Sequence, residues 1–442
     1  MNADVDGRTI ECGVDGSHGA HRSWMRRDRF WRFSALCLLV LIGVGHGSPQ
    51  AQAEPGPEPL SETLELGPVS PHWVLYFMFE PSAEISKYVL FDADTANYKA
   101  WITTGYLPSL QQSPDGRELY VADTFLDGPE RLRRDVVSFY DTRDYSFSAK
   151  IEMPRNRRAM MGPQFRTALV NEGRLLLVFN FPRHGVSVID TRARTVVAEV
   201  ETPGCSLLYP TGERGVSMIC GDGGLLTLQF DSGGQVREQV KSEPFFDPNV
   251  DPVHENAAVI GGTWYFLSYS GDVYPVDLSG DEPVFHEVLA LLGSETRQPS
   301  ENDDSGPWRP GGVQPIAAHA SRGEIYVLMH PVAMSGAHDH TFPGTEVWVF
   351  DTANGERLRR LPLNDLMNTV FVTADDEPLM VTSGISLLYG GEDAQVPGNR
   401  EVIPTVSSIQ VYDAATGEYL REMKEAGMTY YFETAPGSGG VR

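Results

Sequence analysis

Cysteine is scarce in these 442 residues, with only four in the chain. No Cys-x-x-Cys pair occurs, which excludes the usual haem-attachment and zinc-ribbon patterns. No Gly-x-Ser-x-Gly elbow occurs either, so nothing marks an α/β-hydrolase nucleophile. Helical periodicity is scarce, and Gly (44) and Pro (31) punctuate the chain throughout, as in an all-β protein of many short strands. The best helical candidate is the apolar spacing of residues 285–292. Positive charge is also short: Lys and Arg number 35 against 60 Asp and Glu, for a formal net charge of −25. Such a body repels nucleic acid and anionic membranes, and would suit a cationic ligand or a partner with a basic face. Simple solubility explains the same charge equally well.

What the chain does have is one phrase written seven times: an apolar strand closing on Asp, then a polar turn, then a second strand. It ends at Asp92, Asp141, Asp190, Asp231, Asp277, Asp351 and Asp413. The first two steps are 49 residues each, the next 41 and 46, and the last two 74 and 62, so the later units carry insertions. Several short strands per repeat of roughly 40–50 residues mark a propeller-type array, here an all-β, seven-bladed β-propeller. β-Branched and aromatic residues suit the strands. The closing Asp can bond its own backbone and start a turn. Seven unrelated hairpins in a sandwich are the bland alternative, and the regular spacing argues against it. One terminus should close the ring by lending a strand to the opposite end, either Thr63–Leu66 or Thr429–Phe432.

The N-terminus reads as processing rather than fold. Residues 1–24 are polar and unpatterned, a doubtful extension. From Met25 a basic stretch leads to an apolar run over 33–44 and to Ala51-Gln52-Ala53. That order reads as a secretory signal peptide over 25–53, cleaved after Ala53, with the apolar run too short for a stable membrane span; an uncleaved anchor is the alternative. Removing residues 1–53, which hold six Arg and five acidic residues, leaves about −26 by the same charge count. A Pro-rich linker (54–64), a propeller (65–435) and a short tail (436–442) follow. Cys12 and Cys37 precede the cleavage point, so only Cys205 and Cys220 remain in the secreted chain. An even pair there reads as a disulfide, and closing that loop contributes about 3 kcal/mol.

Candidate chemistry is thin. His338-Asp339-His340, with His330 and His319, is the one grouping of metal-ligating side chains, though solvated loop histidines account for it more simply. Asp247, Asp251 and Glu255 have helical spacing, but Pro248 and Pro252 break the helix. Asp303-Asp304 has the character of a solvated acidic loop. No nucleophile, base and oxyanion hole fall at recognisable spacing. Taken alone, these patterns describe a secreted propeller of unassigned ligand.

Longer segments are more specific. Gly204-Cys205 with Tyr209-Pro210, the run 217–226 containing Cys220-Gly221-Asp222-Gly223, and the runs 264–274, 308–312 and 325–331 resemble the heavy subunit of the quinoprotein amine dehydrogenases. Their wording is closer to the aromatic amine (aralkylamine) enzymes than to methylamine dehydrogenase. The resemblance spans about residues 65–435. It implies a periplasmic heterotetramer of two heavy and two light subunits. It also implies a tryptophan tryptophylquinone cofactor on the light subunit and none on this chain. No catalytic residue is then expected here. Primary amines would be oxidised to aldehyde and ammonia, and electrons would pass to a blue copper protein. The family places an aromatic residue, usually Phe, at the mouth of the substrate channel, between the first two blades. The matching segment is Thr103-Thr104-Gly105-Tyr106-Leu107-Pro108, so the resemblance assigns that place to Tyr106. Two other classes stay open: a stand-alone propeller that binds a ligand or partner without redox activity, and a lactonase-type hydrolase built around a central calcium.

Overall fold

The computed structural model describes residues 66–80, 85–127, 129–153, 164–181, 184–293, 307–332, 339–388 and 403–438. Residues 25–53 and 54–64, read above as a signal peptide and a linker, lie outside them, as do Thr63 to Glu65 of one closing candidate, His338 and Asp303-Asp304. Among the described residues the strands form seven antiparallel sheets, each the blade of a β-propeller. In blade 2 the order outward from the axis is Ser109–Gln112, Glu118–Asp127, Leu132–Asp141 and Phe147–Glu152. Blades 3, 4 and 7 repeat that plan, with inner strands Thr167–Val170, Cys205–Thr211 and Thr369–Val372. Blade 5 starts at Val253–Ile260, and its outer strand is broken into Val284–Phe285 and Leu289–Ala290. Residues 285–292 are therefore not a helix. Their apolar spacing imitates one, but the segment lies along the outer edge of a blade with Phe285 and Val288 exposed. In blade 6 two short strands, Trp308–Pro310 and Ile316–His319, pair with the same neighbour, Glu324–Pro331.

Blade 1 is assembled from both ends of the chain. Its strands Trp73–Glu80, Ile85–Asp92 and Asn97–Thr104 come from the N-terminal side. Its inner strand, Met428–Thr434, comes from the C-terminus and pairs antiparallel with Trp73–Glu80. Of the two candidate closing segments, Thr429–Phe432 does the work. The seam with blade 7 is filled by Val74, Tyr76, Phe91 and Phe432 against Val381, Ile409 and Val411. At the other end of that seam His72 bridges Asp94 (2.7 Å) and Asp375 (3.2 Å).

The repeated phrase falls on the third strand of every blade. All seven of its Asp residues behave alike. Each carboxylate accepts the backbone N–H two residues on, at 2.7–3.0 Å, and so starts the turn to the fourth strand. This is the Asx turn, and it explains why Asp rather than another polar residue recurs there. Cys205 and Cys220 sit opposite each other in the first hairpin of blade 4 and are joined by a disulfide. Among the described residues no helix is long and apolar enough to cross a membrane.

Antiparallel blades sort the connections onto two faces. Links between second and third strands emerge at the same end as links from a fourth strand to the next blade. Tyr106 lies in a link of the second kind. The strand ends at Pro331 and Gly344 and at Leu388 and Ile403, which border long links in the last two repeat steps, open onto the same face.

Candidate functional site

The link carrying Tyr106 is held from below by buried carboxylates. Gly105 donates its N–H to both oxygens of Asp123, at 2.8 and 2.9 Å, and Tyr106 donates its own to the carbonyl of Thr124 at 2.7 Å. Asp123 also accepts from the N–H of Thr124. The hydroxyl of Thr124 donates to Asp135, which is gripped by Nε of Arg133, 3.0 Å from each oxygen. Asp123 and Asp135 are both buried, so removing either partner of these charge-assisted bonds is costly. Gly105 has no substitute here, because a Cβ would sit 2.2 Å from the Thr124 carbonyl oxygen. Leu107 takes a left-handed φ of 47°, which turns the chain sharply behind Tyr106.

Tyr106 therefore stands on a fixed base, partly exposed, with its ring among other aromatics. Phe79 meets it edge to face at 5.6 Å between ring centres and meets Tyr430 at 6.1 Å. Tyr430 also touches Phe77 (6.0 Å), which stacks on Tyr431 (5.2 Å). Tyr431 and Tyr88 share a buried hydroxyl–hydroxyl bond of 2.5 Å. Burial, with Tyr106 nearby, raises the pKa of the Tyr430 phenol. It stays neutral and can donate a hydrogen bond, as it does to the Met428 sulfur at 3.2 Å.

A second polar cluster gathers side chains from blades on different sides of the axis. Gln314 donates to the Phe432 carbonyl (3.1 Å) and accepts the Phe432 N–H (2.8 Å). Gln164 donates to the same carbonyl at 3.2 Å and accepts from Asn256. Arg166 lies 3.8 Å from Glu255. Burial pulls the Arg166 guanidinium below its ordinary range, opposed by Glu255, and pushes the Glu255 carboxyl up, opposed by Arg166. The Glu255 side chain is nonetheless half exposed.

The histidines singled out in the sequence are dispersed. His319 donates Nε2 to the Asp375 carbonyl (2.8 Å), and His330 donates Nδ1 to that of Pro331 (3.1 Å). His340 stacks on Tyr269 at 4.2 Å. The same tyrosine packs on His254, whose pKa burial, aided by His340, lowers to about 3. Asp251 caps Ser270 instead of joining a carboxylate face with Asp247. Among the described residues no group of three or more His, Cys, Asp or Glu is arranged to hold a metal.

These features define a seven-bladed propeller, closed by its C-terminal strand, with an aromatic patch on one face. Solved structures agree on the fold. A putative 6-phosphogluconolactonase from Bacteroides fragilis superposes with a TM-score of 0.51 at 10% identity, over 83% of this chain and 99% of that one. At that identity the likeness concerns architecture alone. The sequence is more particular: residues 79–395 match the model of the methylamine dehydrogenase heavy chain family, and the chain belongs to that family. It is 28% identical over 296 residues to the methylamine dehydrogenase heavy chain of Methylophilus methylotrophus, covering 65% of this chain and 69% of that one. Against the heavy chain of Methylorubrum extorquens it is 27% identical over 375 residues, covering 80% and 88%.

Proposed function

We propose that this chain is the heavy subunit of a periplasmic amine dehydrogenase that oxidises primary, aromatic amines to aldehyde and ammonia. The family match across residues 79–395 is the observation that carries the reading as an amine dehydrogenase heavy subunit. A light subunit would hold the tryptophan tryptophylquinone, which takes up the electrons of the amine and passes them to a blue copper protein. Two heavy and two light chains would make the working enzyme. This chain's part is to bind and orient. The aromatic preference is supported by the wall of partly exposed rings, packed edge to face, that Phe79, Tyr106 and Tyr430 make. Tyr106 stands at the mouth of the channel and touches the substrate's side chain, not its reacting nitrogen. The acidic body favours the approach of an ammonium ion.

Reconstitution tests the reading. The heavy chain alone should not reduce a dye with phenylethylamine, tryptamine or methylamine, and the heavy–light complex should. In that complex Tyr106→Ala should change the ratio of kcat/KM between an aryl amine and methylamine by roughly 10–200-fold, the worth of one misfitted apolar group. The best substrate's kcat should hold, since the lost contact is not made to the reacting atoms. Equal loss for both amines would remove Tyr106 from the channel mouth.

A further inference from the structure

A β-bulge next to Tyr106 has no role in closing the ring. In blade 1, Phe77 pairs with Tyr431 and Met78 with Thr429, so the register skips Tyr430. An extra residue on one strand re-aims the side chains around it. Without it, consecutive residues would face opposite sides of the sheet. With it, Tyr430 and Tyr431 pack against the same aromatic cluster as Phe77, while Phe432 goes to the seam with blade 7. The bulge thus brings Tyr430 against Phe79, the ring that also carries Tyr106. A regular strand would close the ring equally well and would leave this wall without its second tyrosine.

We propose that Tyr430 is a second specificity-determining residue, which with Tyr106 and Phe79 selects primary amines whose side chain ends in an aromatic ring. The inference rests on the reading of this chain as an amine dehydrogenase heavy subunit with Tyr106 at the channel mouth. Tyr430 supplies the face of its ring, its hydroxyl being taken by the Met428 sulfur, while Phe79 meets both tyrosines edge to face. A small alkyl amine reaches neither ring and gains nothing from the wall. A tyrosine needed only to pack the bulge would affect all amines alike.

The test uses the heavy–light complex with phenylethylamine and methylamine. Tyr430→Ala should lower the aryl-to-alkyl ratio of kcat/KM by roughly 10-fold or more, with kcat for phenylethylamine nearly unchanged. Tyr430→Leu, which keeps apolar bulk for folding but loses the flat ring, should lower it too. Tyr430→Phe should restore it. Since both tyrosines act through Phe79, the Tyr106→Ala/Tyr430→Ala double variant should fall short of the product of the single effects. An unchanged ratio in folded Tyr430→Leu, beside a shifted ratio in Tyr106→Ala, overturns the inference and leaves the parent reading standing. A ratio unmoved by Tyr106→Ala as well, or no turnover by the wild-type complex, overturns both.

Discussion

A chain ending at Gly427 is expected not to fold into a monomeric propeller. The missing segment includes the inner strand of blade 1, Met428–Thr434, and with it the contact that closes the ring. Tyr431 and Phe432 are nearly wholly buried, one toward blade 2 and one toward blade 7. Truncating a single buried aromatic costs about 3–5 kcal/mol, against about 5–15 kcal/mol for a whole domain. Losing two of them, along with a ladder of backbone hydrogen bonds, exceeds what the rest can carry. The strand Trp73–Glu80 would also present its unpaired edge to other chains. Size-exclusion chromatography should find aggregate, and circular dichroism should find no cooperative melt. Phe432→Ala is the graded version, with about 3–5 kcal/mol lost in urea unfolding. A monomer that melts cooperatively at the wild-type temperature after truncation would show that the ring is closed elsewhere.

Gln314→Leu should destabilise the fold by about 3 kcal/mol without changing its shape. The buried Gln314 amide pairs with both the N–H and the carbonyl of Phe432, as a neighbouring strand would. Leucine fills a similar volume but leaves both groups without that partner. Each unsatisfied buried polar group costs about 1–3 kcal/mol. The carbonyl keeps its bond from Gln164, so the N–H bears most of the loss. A fall in the urea midpoint with an unchanged slope is the expected signature. Gln314→Ala should cost at least as much, because it adds a cavity. A midpoint within the scatter of wild type would mean that water replaces the amide and that the axial cluster is not a clasp.

The propeller was legible in the sequence because its signal is local and repeated. The seven phrase-ending Asp residues mark the third strands, and each makes its turn with its own backbone. The Cys205–Cys220 pair was legible for another reason, as the even pair left once the first 53 residues are set aside, and the structure places the two opposite each other in one hairpin. Choosing Thr429–Phe432 over Thr63–Leu66 was not possible from propensity, as both segments can form a strand. What decides it is long-range packing of Phe432 against Val381 and Val411. Residues 285–292 misled because period and burial diverge in an outer strand, where Phe285 and Val288 remain exposed. The clamp of Asp123 on Gly105 spans 18 residues, and the hold of Gln314 on Phe432 spans 118. Single polar residues at such distances leave no pattern in a lone sequence. The bulge at Tyr430 is equally silent, because Met-Thr-Tyr-Tyr-Phe reads as an ordinary strand.

Purification of the protein from the organism that makes it, under non-denaturing conditions, decides whether this chain works as an amine dehydrogenase subunit. A smaller, cysteine-rich chain should travel with it through every column, and the complex should absorb visible light in a quinone band. Adding phenylethylamine should bleach that band. A heavy chain that emerges alone, colourless and unreactive toward amines, would contradict the amine dehydrogenase reading and leave a propeller with another ligand.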